Sequence, residues 1–165
     1  LAGVLREAPA ISAVANPTIN SYKRLHASTT TSGATWSPDT VSWGGNDRTV
    51  MVRIPDDKRF ELRLADMAAN PYLFPAAVCA AGLDGLRDEG FDKETHLWAF
   101  HKDQNPQSKL PRSLRDALDR LEASAALRDG LGRDLIDSYL ALKRKHCDDF
   151  DAHVSQWELD HYLDV

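Results

Sequence analysis

Residues 48–66, RTVMVRIPDDKRFELRLAD, constrain the fold more than any other stretch of the chain. They read as two short strands joined by a polar turn at Pro55-Asp56-Asp57-Lys58. Strand side chains alternate between faces. Val50, Val52 and Ile54 therefore share one face of the first strand, and Arg53 lies on the other. In the second strand Phe60, Leu62 and Leu64 share a face, and Arg59, Glu61 and Arg63 share the opposite one. The pattern predicts an apolar side against a core and an outer side crowded with arginines around a single carboxylate. Two readings of that outer side stand together. It is a solvated ladder of weak ion pairs, or it is a surface for phosphate and carboxylate oxygens, which guanidinium forks match in geometry.

The arginines are concentrated there although the chain is acidic overall, with 20 Lys and Arg against 25 Asp and Glu and a net charge of −5. That balance argues against a nucleic-acid module. At 165 residues the chain is long enough for one domain with a core, or a piece of one. No apolar run approaches the ~20 residues a membrane-spanning helix needs. The opening LAGVLREAPAISAVA lacks a basic start and is interrupted by Arg6, Glu7 and Pro9, so it does not read as a signal peptide. Cys79 and Cys147 suggest neither a disulfide framework nor a metal knuckle, and a reducing cytoplasm is the expected compartment. A first residue of Leu rather than Met reads as a piece of a longer chain.

Taken in order, residues 1–14 predict a buried helix, and Asn16-Pro17 an N-cap followed by Pro at the first helical position. TINSYKRL continues for two turns, with Arg24 by default a charge complementing the helix C-terminus. Residues 26–47, rich in Ser, Thr and Gly with Trp36 and Trp43 interleaved, read as a flap over a polar ligand or as a structural Ω-loop. Asn70 and Pro71 open a helix over 71–87 that is apolar nearly all round and so expected to be buried on most sides. Pro75 should kink or delay it, and Gly82 and Gly85 mark a fraying or tightly packed end.

Residues 88–112 read as an irregular polar connection, with His96 and His101 at no metal-binding spacing. Ser113 and Asp116 form a capping box for a helix presenting Leu114, Leu118 and Leu121. A longer helix, about Asp134 to Val154, carries Leu135, Tyr139 and Leu142 on one stripe, with His146 and His153 on a solvated face. Ser155 and Glu158 cap a short C-terminal helix whose Trp157, Tyr162 and Leu163 should dock on the body or on another subunit. No stretch is a self-sufficient catalytic motif.

The segments Asn16-Pro-Thr-Ile-Asn-Ser-Tyr-Lys-Arg24, Asn46-Asp-Arg48, Val52-Arg53-Ile-Pro55, Arg59-Phe-Glu61-Leu-Arg63, Asn70-Pro-Tyr-Leu73 and Ala81-Gly-Leu-Asp-Gly85 carry a resemblance. In that order they closely resemble the C-terminal part of the glutamine synthetase catalytic domain, over about residues 1–87 and more weakly to Val165. The flap looks most like the bacterial type III subgroup. The resemblance implies an α+β fold, part of a curved, mostly antiparallel sheet packed by the helices of 1–24 and 71–87. Helices 113–164 would lie outside as a helical C-terminal tail. Residues 1–112 would be the C-terminal portion of the catalytic domain and 113–165 a helical segment of it.

The roles it implies are specific. Arg24 would bind a carboxylate of glutamate, helped by Arg63. Arg48 and Arg53 would face the transferring phosphate, with Arg53 and Arg59 near the nucleotide. Glu61 would ligate one divalent metal, Mg²⁺ or Mn²⁺. The reaction implied is ATP-dependent amidation of glutamate's side-chain carboxylate by ammonia, through an acyl phosphate, in a cytoplasmic homo-oligomeric ring. The family's other metal-ligand glutamates and its His-x-His element have no counterpart here, so this chain alone is expected to be inactive. The family's flap glutamate is also missing. Between Leu25 and Phe60 the only acids are Asp39, Asp47, Asp56 and Asp57, and Asp39 is a poor substitute. Methylamine or another primary amine is therefore an alternative substrate, and a non-catalytic scaffold is the alternative of a different class.

Overall fold

The computed structural model describes residues 1–25, 27 and 37–163. Of the flap expected over 26–47, residues 26 and 28–36, Trp36 included, fall outside them, and residues 27 and 37–47 fall within. Helix α1 (Ala2–Ala15) is the hub. Because its sequence is mostly Ala, Val, Leu and Ile, it is buried around nearly its whole circumference. Arg6, Glu7 and Pro9 are its residues outside the buried set. Both charges are used: Arg6 pairs with Asp84 and, at 3.1 Å, with Asp88, while Glu7 accepts a hydrogen bond from Ser124 Oγ at 2.7 Å.

Helix α2 (Ile19–Leu25) follows after a short bend. Thr18, not Asn16, is its cap: Ser21 N–H donates to Thr18 Oγ1 at 3.1 Å and Thr18 N–H donates to Ser21 Oγ at 3.2 Å. Asn16 is fully buried and spends its amide elsewhere, as described below. The sequence signal misled because Asn-Pro is a good cap pattern whose side chain here has a stronger tertiary partner.

α1 packs between α3 (Leu73–Arg87) and α5 (Leu114–Ala123). The α1–α3 crossing is so close that a Cβ on Gly85 would lie 2.6 Å from Gly3 Cα. Gly85 thus marks a tightly packed helix rather than a fraying end. Gly85→Ala is expected to lower stability by about 1–3 kcal/mol through forced separation of the two helices. Gly82→Ala, whose new methyl would meet only Val4 Cγ2 at 4.0 Å, should be close to neutral. Urea unfolding of both variants checks the pair; equal stabilities would contradict the crossing.

Helix α3 is less buried than its composition suggests. Only Ala77, Ala81 and Gly85 are buried, and Leu83 and Leu86 are exposed. Apolar residues all round do not bury a helix that finds neighbours on one side alone. Asn70 does cap it, accepting from Tyr72 N–H at 2.9 Å and Leu73 N–H at 3.1 Å. Pro75 falls in the first turn, where its missing N–H costs no helical bond.

The connection expected to be irregular holds a helix, α4 (Lys93–Ala99), started by Asp92, which accepts from Thr95 N–H at 3.1 Å. Lys102–Gln104 then make one 3₁₀ turn. Helix α5 begins at Ser113 as expected, and Leu114, Leu118 and Leu121 are buried in the core against α1 rather than lying outside it. Helix α6 (Ala125–Leu131), capped by Ser124, was not foreseen. Helix α7 runs Arg133–Asp151, and its buried stripe is Ile136, Leu140 and Cys147. Leu135 and Leu142, expected to face inward, are about half exposed at 49% and 54%. The stripe is offset by one residue, an ambiguity that a helix mixing apolar and charged residues leaves open.

Helix α8 (Gln156–Tyr162) has the expected Ser155–Glu158 capping box. Trp157, Tyr162 and Leu163 do not dock on the body; all are exposed, and the Trp157 ring stacks on His161 at 4.1 Å.

The sheet has three strands in the order β1 (Trp43–Gly44), β2 (Val52–Asp56), β3 (Arg59–Leu62). The class is α+β as the resemblance implied. The pairing is evenly mixed, with β2–β3 antiparallel and β1–β2 parallel. Loop 45–51 folds back at Gly45 and Asp47, so the chain re-enters alongside β1 in the same direction. Pro55 and Asp56 extend β2, which leaves Asp57-Lys58 as a two-residue turn. Pro55 lies past the end of short β1 and so interrupts no ladder bond with it. On the inner side Val50, Met51, Val52 and Leu64 are buried, but Phe60, expected in the core, is 44% exposed near the hairpin tip.

Candidate functional site

The outer side of the hairpin is not a set of independent surface charges. Register places Arg53 directly across from Glu61. Arg53 Nη1 donates to Glu61 Oε2 at 2.8 Å, and Arg63 Nε lies 3.5 Å from Glu61 Oε1. One carboxylate thus sits between two guanidiniums, whose side chains are only 17% and 13% exposed. Arg53 is oriented further by Asn46, whose Oδ1 accepts from Arg53 Nε at 2.8 Å and also from Nη2. Arg63 reaches back across the sheet to the carbonyls of Arg48 and, at 3.2 Å, Val50. Sheet geometry therefore fixes both arginines from several sides.

Arg53 lines an open polar depression with Gly45, Asn46, Asp47, Arg48 and Lys102. Arg48 is exposed at its rim, and its guanidinium has no hydrogen-bond partner among the described residues. Three cations against one carboxylate, Asp47, give the depression a net positive lining suited to an anion. Asp47 is heavily engaged: Lys102 Nζ donates to Oδ2 at 2.8 Å, and Thr49 N–H and Oγ1 donate to Oδ1 at 2.8 and 2.7 Å. These bonds, Lys102 foremost, hold its carboxyl far below the usual carboxylate range.

The other expected residues lie apart from this cluster. Arg59 turns back at the hairpin tip to Asp56, its Nε donating to Oδ2 at 3.0 Å, and its side chain is 72% exposed. Arg24 is a partly buried tie. Its Nη2 donates to Asn16 Oδ1 at 2.7 Å and to the Leu64 carbonyl at 3.2 Å, and its Nη1 donates to Ser37 Oγ at 3.0 Å. Asn16 Nδ2 donates to the same Leu64 carbonyl at 3.1 Å. Arg24 Nε is buried without a partner among the described residues.

Asp39 belongs to a different structure again. Its carboxylate takes Lys109 Nζ at 2.9 Å and Thr40 Oγ1 at 2.8 Å, and Leu110 N–H donates to its carbonyl at 2.9 Å. Desolvation would raise its pKa, but Lys109 and Thr40 outweigh that and lower it. So engaged, Asp39 is a latch on segment 108–110 and a weak base.

Sequence reasoning missed Lys102 and the part played by Asp47. Lys102 sat in a stretch read as irregular, and nothing local to it signals a partner 55 residues away. Asp47-x-Thr49, a side chain bonding the backbone two residues on, was the legible half.

The residues fit a phosphate better than a metal. Glu61 is already compensated by two arginines, and no group of three or more His, Cys, Asp or Glu able to hold a metal occurs among the described residues. On these residues alone a divalent cation has at most one ligand. A second cleft, apolar and of about 500 Å³, lies between α2, α5 and α7 and is lined by Tyr22, Phe150 and Cys147. Burial raises both the Tyr22 phenol and the Cys147 thiol, so neither is poised as a nucleophile. Among the described residues no helix is long and apolar enough to cross a membrane.

A profile described as the glutamine synthetase catalytic domain matches residues 1–162. The chain belongs to the glutamine synthetase catalytic-domain family. A glutamine synthetase of Rhizobium leguminosarum bv. phaseoli is 46% identical over 168 residues, covering 100% of this chain and 39% of that protein. A glutamate–methylamine ligase of Methyloversatilis universalis is 41% identical over 169 residues, covering 99% of this chain and 38% of that one. Among solved structures, a GmaS/ADP complex superposes with a TM-score of 0.80 at 43% identity, again over 99% of this chain and 38% of that chain. The glutamine synthetase-family segment described here therefore spans about two-fifths of the length of the relatives it matches.

Proposed function

We propose that the chain supplies part of the phosphate-handling and glutamate-handling surface of an ATP-dependent ligase that amidates glutamate's side-chain carboxylate. The observation that carries this is the depression formed by Arg48, Arg53 and Lys102, with Arg53 aimed by Asn46 and Glu61. In the reaction a carboxylate oxygen of glutamate attacks the γ-phosphorus of ATP and ADP leaves. The amine nitrogen then attacks the acyl carbon, phosphate departs, and the nitrogen loses a proton.

The residues of this chain act by position and charge. Arg53 and Arg48 bind the oxygens that gather negative charge as the phosphoryl group moves. Arg63, anchored on two carbonyls and beside Glu61, holds the arginine ladder in register and faces the glutamate carboxylate. Arg24 has its unpartnered Nε to offer, and its first task is to join β3's exit to α1. Arg59, exposed at the tip, would leave its surface pair with Asp56 to reach a nucleotide. A divalent cation, when bound, would neutralise phosphate charge; Glu61 would contribute a single oxygen, with the remaining ligands coming from outside the residues described.

The amine is ammonia on the first reading. A second reading, methylamine, is favoured by Asp39: the nearest candidate for a flap acid is latched to Lys109 and holds its proton weakly. The full-length protein incubated with ATP, Mg²⁺, glutamate and either ammonium or methylamine decides. Glutamine as the major product supports the first reading and N-methylglutamine the second. No amide from either amine, with no ADP released, would contradict the ligase altogether and leave the scaffold.

A further inference from the structure

Lys102 and Asp47 have no part in the family-derived roles, yet they line the same depression as Arg48 and Arg53. Three observations connect them to Arg48. First, Lys102 is carried in by the 3₁₀ turn Lys102–Gln104, which follows directly on an edge docking against β1. Trp43 N–H donates to the Phe100 carbonyl at 3.0 Å, and Trp43 bridges His101 in parallel. Second, the Lys102 stem lies over Gly44: a Cβ there would meet Lys102 Cδ at 3.0 Å. The amine therefore reaches Asp47 along a fixed path. Third, Asp47 spends its other oxygen on Thr49 N–H and Oγ1, closing the turn whose middle residue is Arg48. The Arg48 carbonyl is held separately by Arg63. The backbone of Arg48 is thus clamped on both sides, by Asp47 on one and by Arg63 on the other, while its guanidinium stays unengaged among the described residues.

We propose that Lys102 and Asp47 are positioning residues for phosphate binding, an ion pair that fixes the 47–49 turn and so holds Arg48 toward the anion depression. The proposal rests on the ligase reading and deepens it. Lys102 does two things at once. It cancels the one negative charge lining the depression, and it keeps Asp47 on Thr49. Without it, Asp47 would both repel an entering phosphate and release the turn.

The test uses the full-length protein titrated with ADP and Mg²⁺ by calorimetry, as wild type, K102M, D47N, K102R and the K102M/D47N double variant. Acting through one turn, K102M and D47N should each weaken ADP binding by about tenfold, the scale of a charge-assisted hydrogen bond. The double variant should bind no more weakly than the poorer single one. K102R should stay within about twofold of wild type, because a guanidinium also reaches and neutralises a carboxylate. Thermal midpoints of all forms separate this from a merely structural role.

Three results would overturn the proposal. D47N binding ADP more tightly than wild type would make Lys102 only a counter-charge. Additive losses in the double variant would make the two residues independent. Unchanged affinities with lowered midpoints would make the pair structural. A wild-type protein that binds no ADP would overturn this proposal and the ligase reading together, which distinguishes that failure from the other three.

Discussion

Arg53→Gln is expected to lower kcat of the full-length protein by about 10²- to 10³-fold, the effect of removing one preorganised donor aimed at developing charge. Of the arginines in the hairpin, Arg53 is the one whose side chain both lines the depression and is aimed by two neighbours, Asn46 and Glu61. Glutamine keeps a polar stem but supplies neither the charge nor the bidentate fork. KM for glutamate should change far less than kcat, since the lost contact is made chiefly as the phosphoryl group moves. The thermal midpoint should hold nearly steady, because Glu61 is 49% exposed and retains Arg63. Steady-state kinetics with a melting curve for each form checks this. Unchanged kcat with a stable fold would remove Arg53 from the chemistry.

Arg24→Met is expected to act first on stability, at about 3 kcal/mol. Its guanidinium satisfies Asn16 Oδ1 and helps satisfy the Leu64 carbonyl. Asn16 is 0% exposed, and leaving such a buried acceptor unpaired costs about 1–3 kcal/mol, to which lost packing of the stem adds. The same tie joins β3's exit to the α1–α2 bend, so its loss should loosen the strand that carries Arg63 and Glu61. The check is urea unfolding beside glutamate KM. A stable Arg24→Met protein with a raised KM would make Arg24 a substrate ligand and nothing more. A destabilised protein with modest kinetic change would make it a structural tie.

How much of this was legible in the sequence depends on how local each signal is. The hairpin and its charged side follow from alternation alone, and register then put Arg53 opposite Glu61, which a period-2 pattern permits. The capping box at Ser155 formed as written, because both partners lie within one turn. At Ser113 only half of it did, since Ser113 Oγ accepts from Asp116 N–H while the Asp116 carboxylate takes Arg112 N–H instead. Asn16 went wrong for a tertiary reason. A cap pattern was overridden by a partly buried arginine eight residues away and a carbonyl just past β3. Helices α4 and α6 are seven residues each, too short for hydrophobic periodicity to stand out, although Asp92 and Ser124 were readable as caps.

The offset stripe on α7 has the same kind of cause. Leu135 and Ile136 are adjacent and equally apolar, so only the position of α5 and α6 decides which one faces inward. Arg48 and Arg53 sit in segments that carry the resemblance, and the structure brings both to one depression. Lys102 was not legible, because its relation to Asp47 exists only once segment 100–104 has docked on β1.

Arg48, Arg53 and Lys102 act together only if the depression beside Arg53 is a phosphate site. The most direct test is a crystal structure of the full-length protein with ADP and Mg²⁺. The expected result is phosphate oxygens within about 2.7–3.0 Å of the Arg48 and Arg53 guanidiniums, the range of charge-assisted hydrogen bonds. Nucleotide phosphates bound elsewhere, with Arg48 still in solvent and Arg53 still turned wholly onto Asn46 and Glu61, would contradict it.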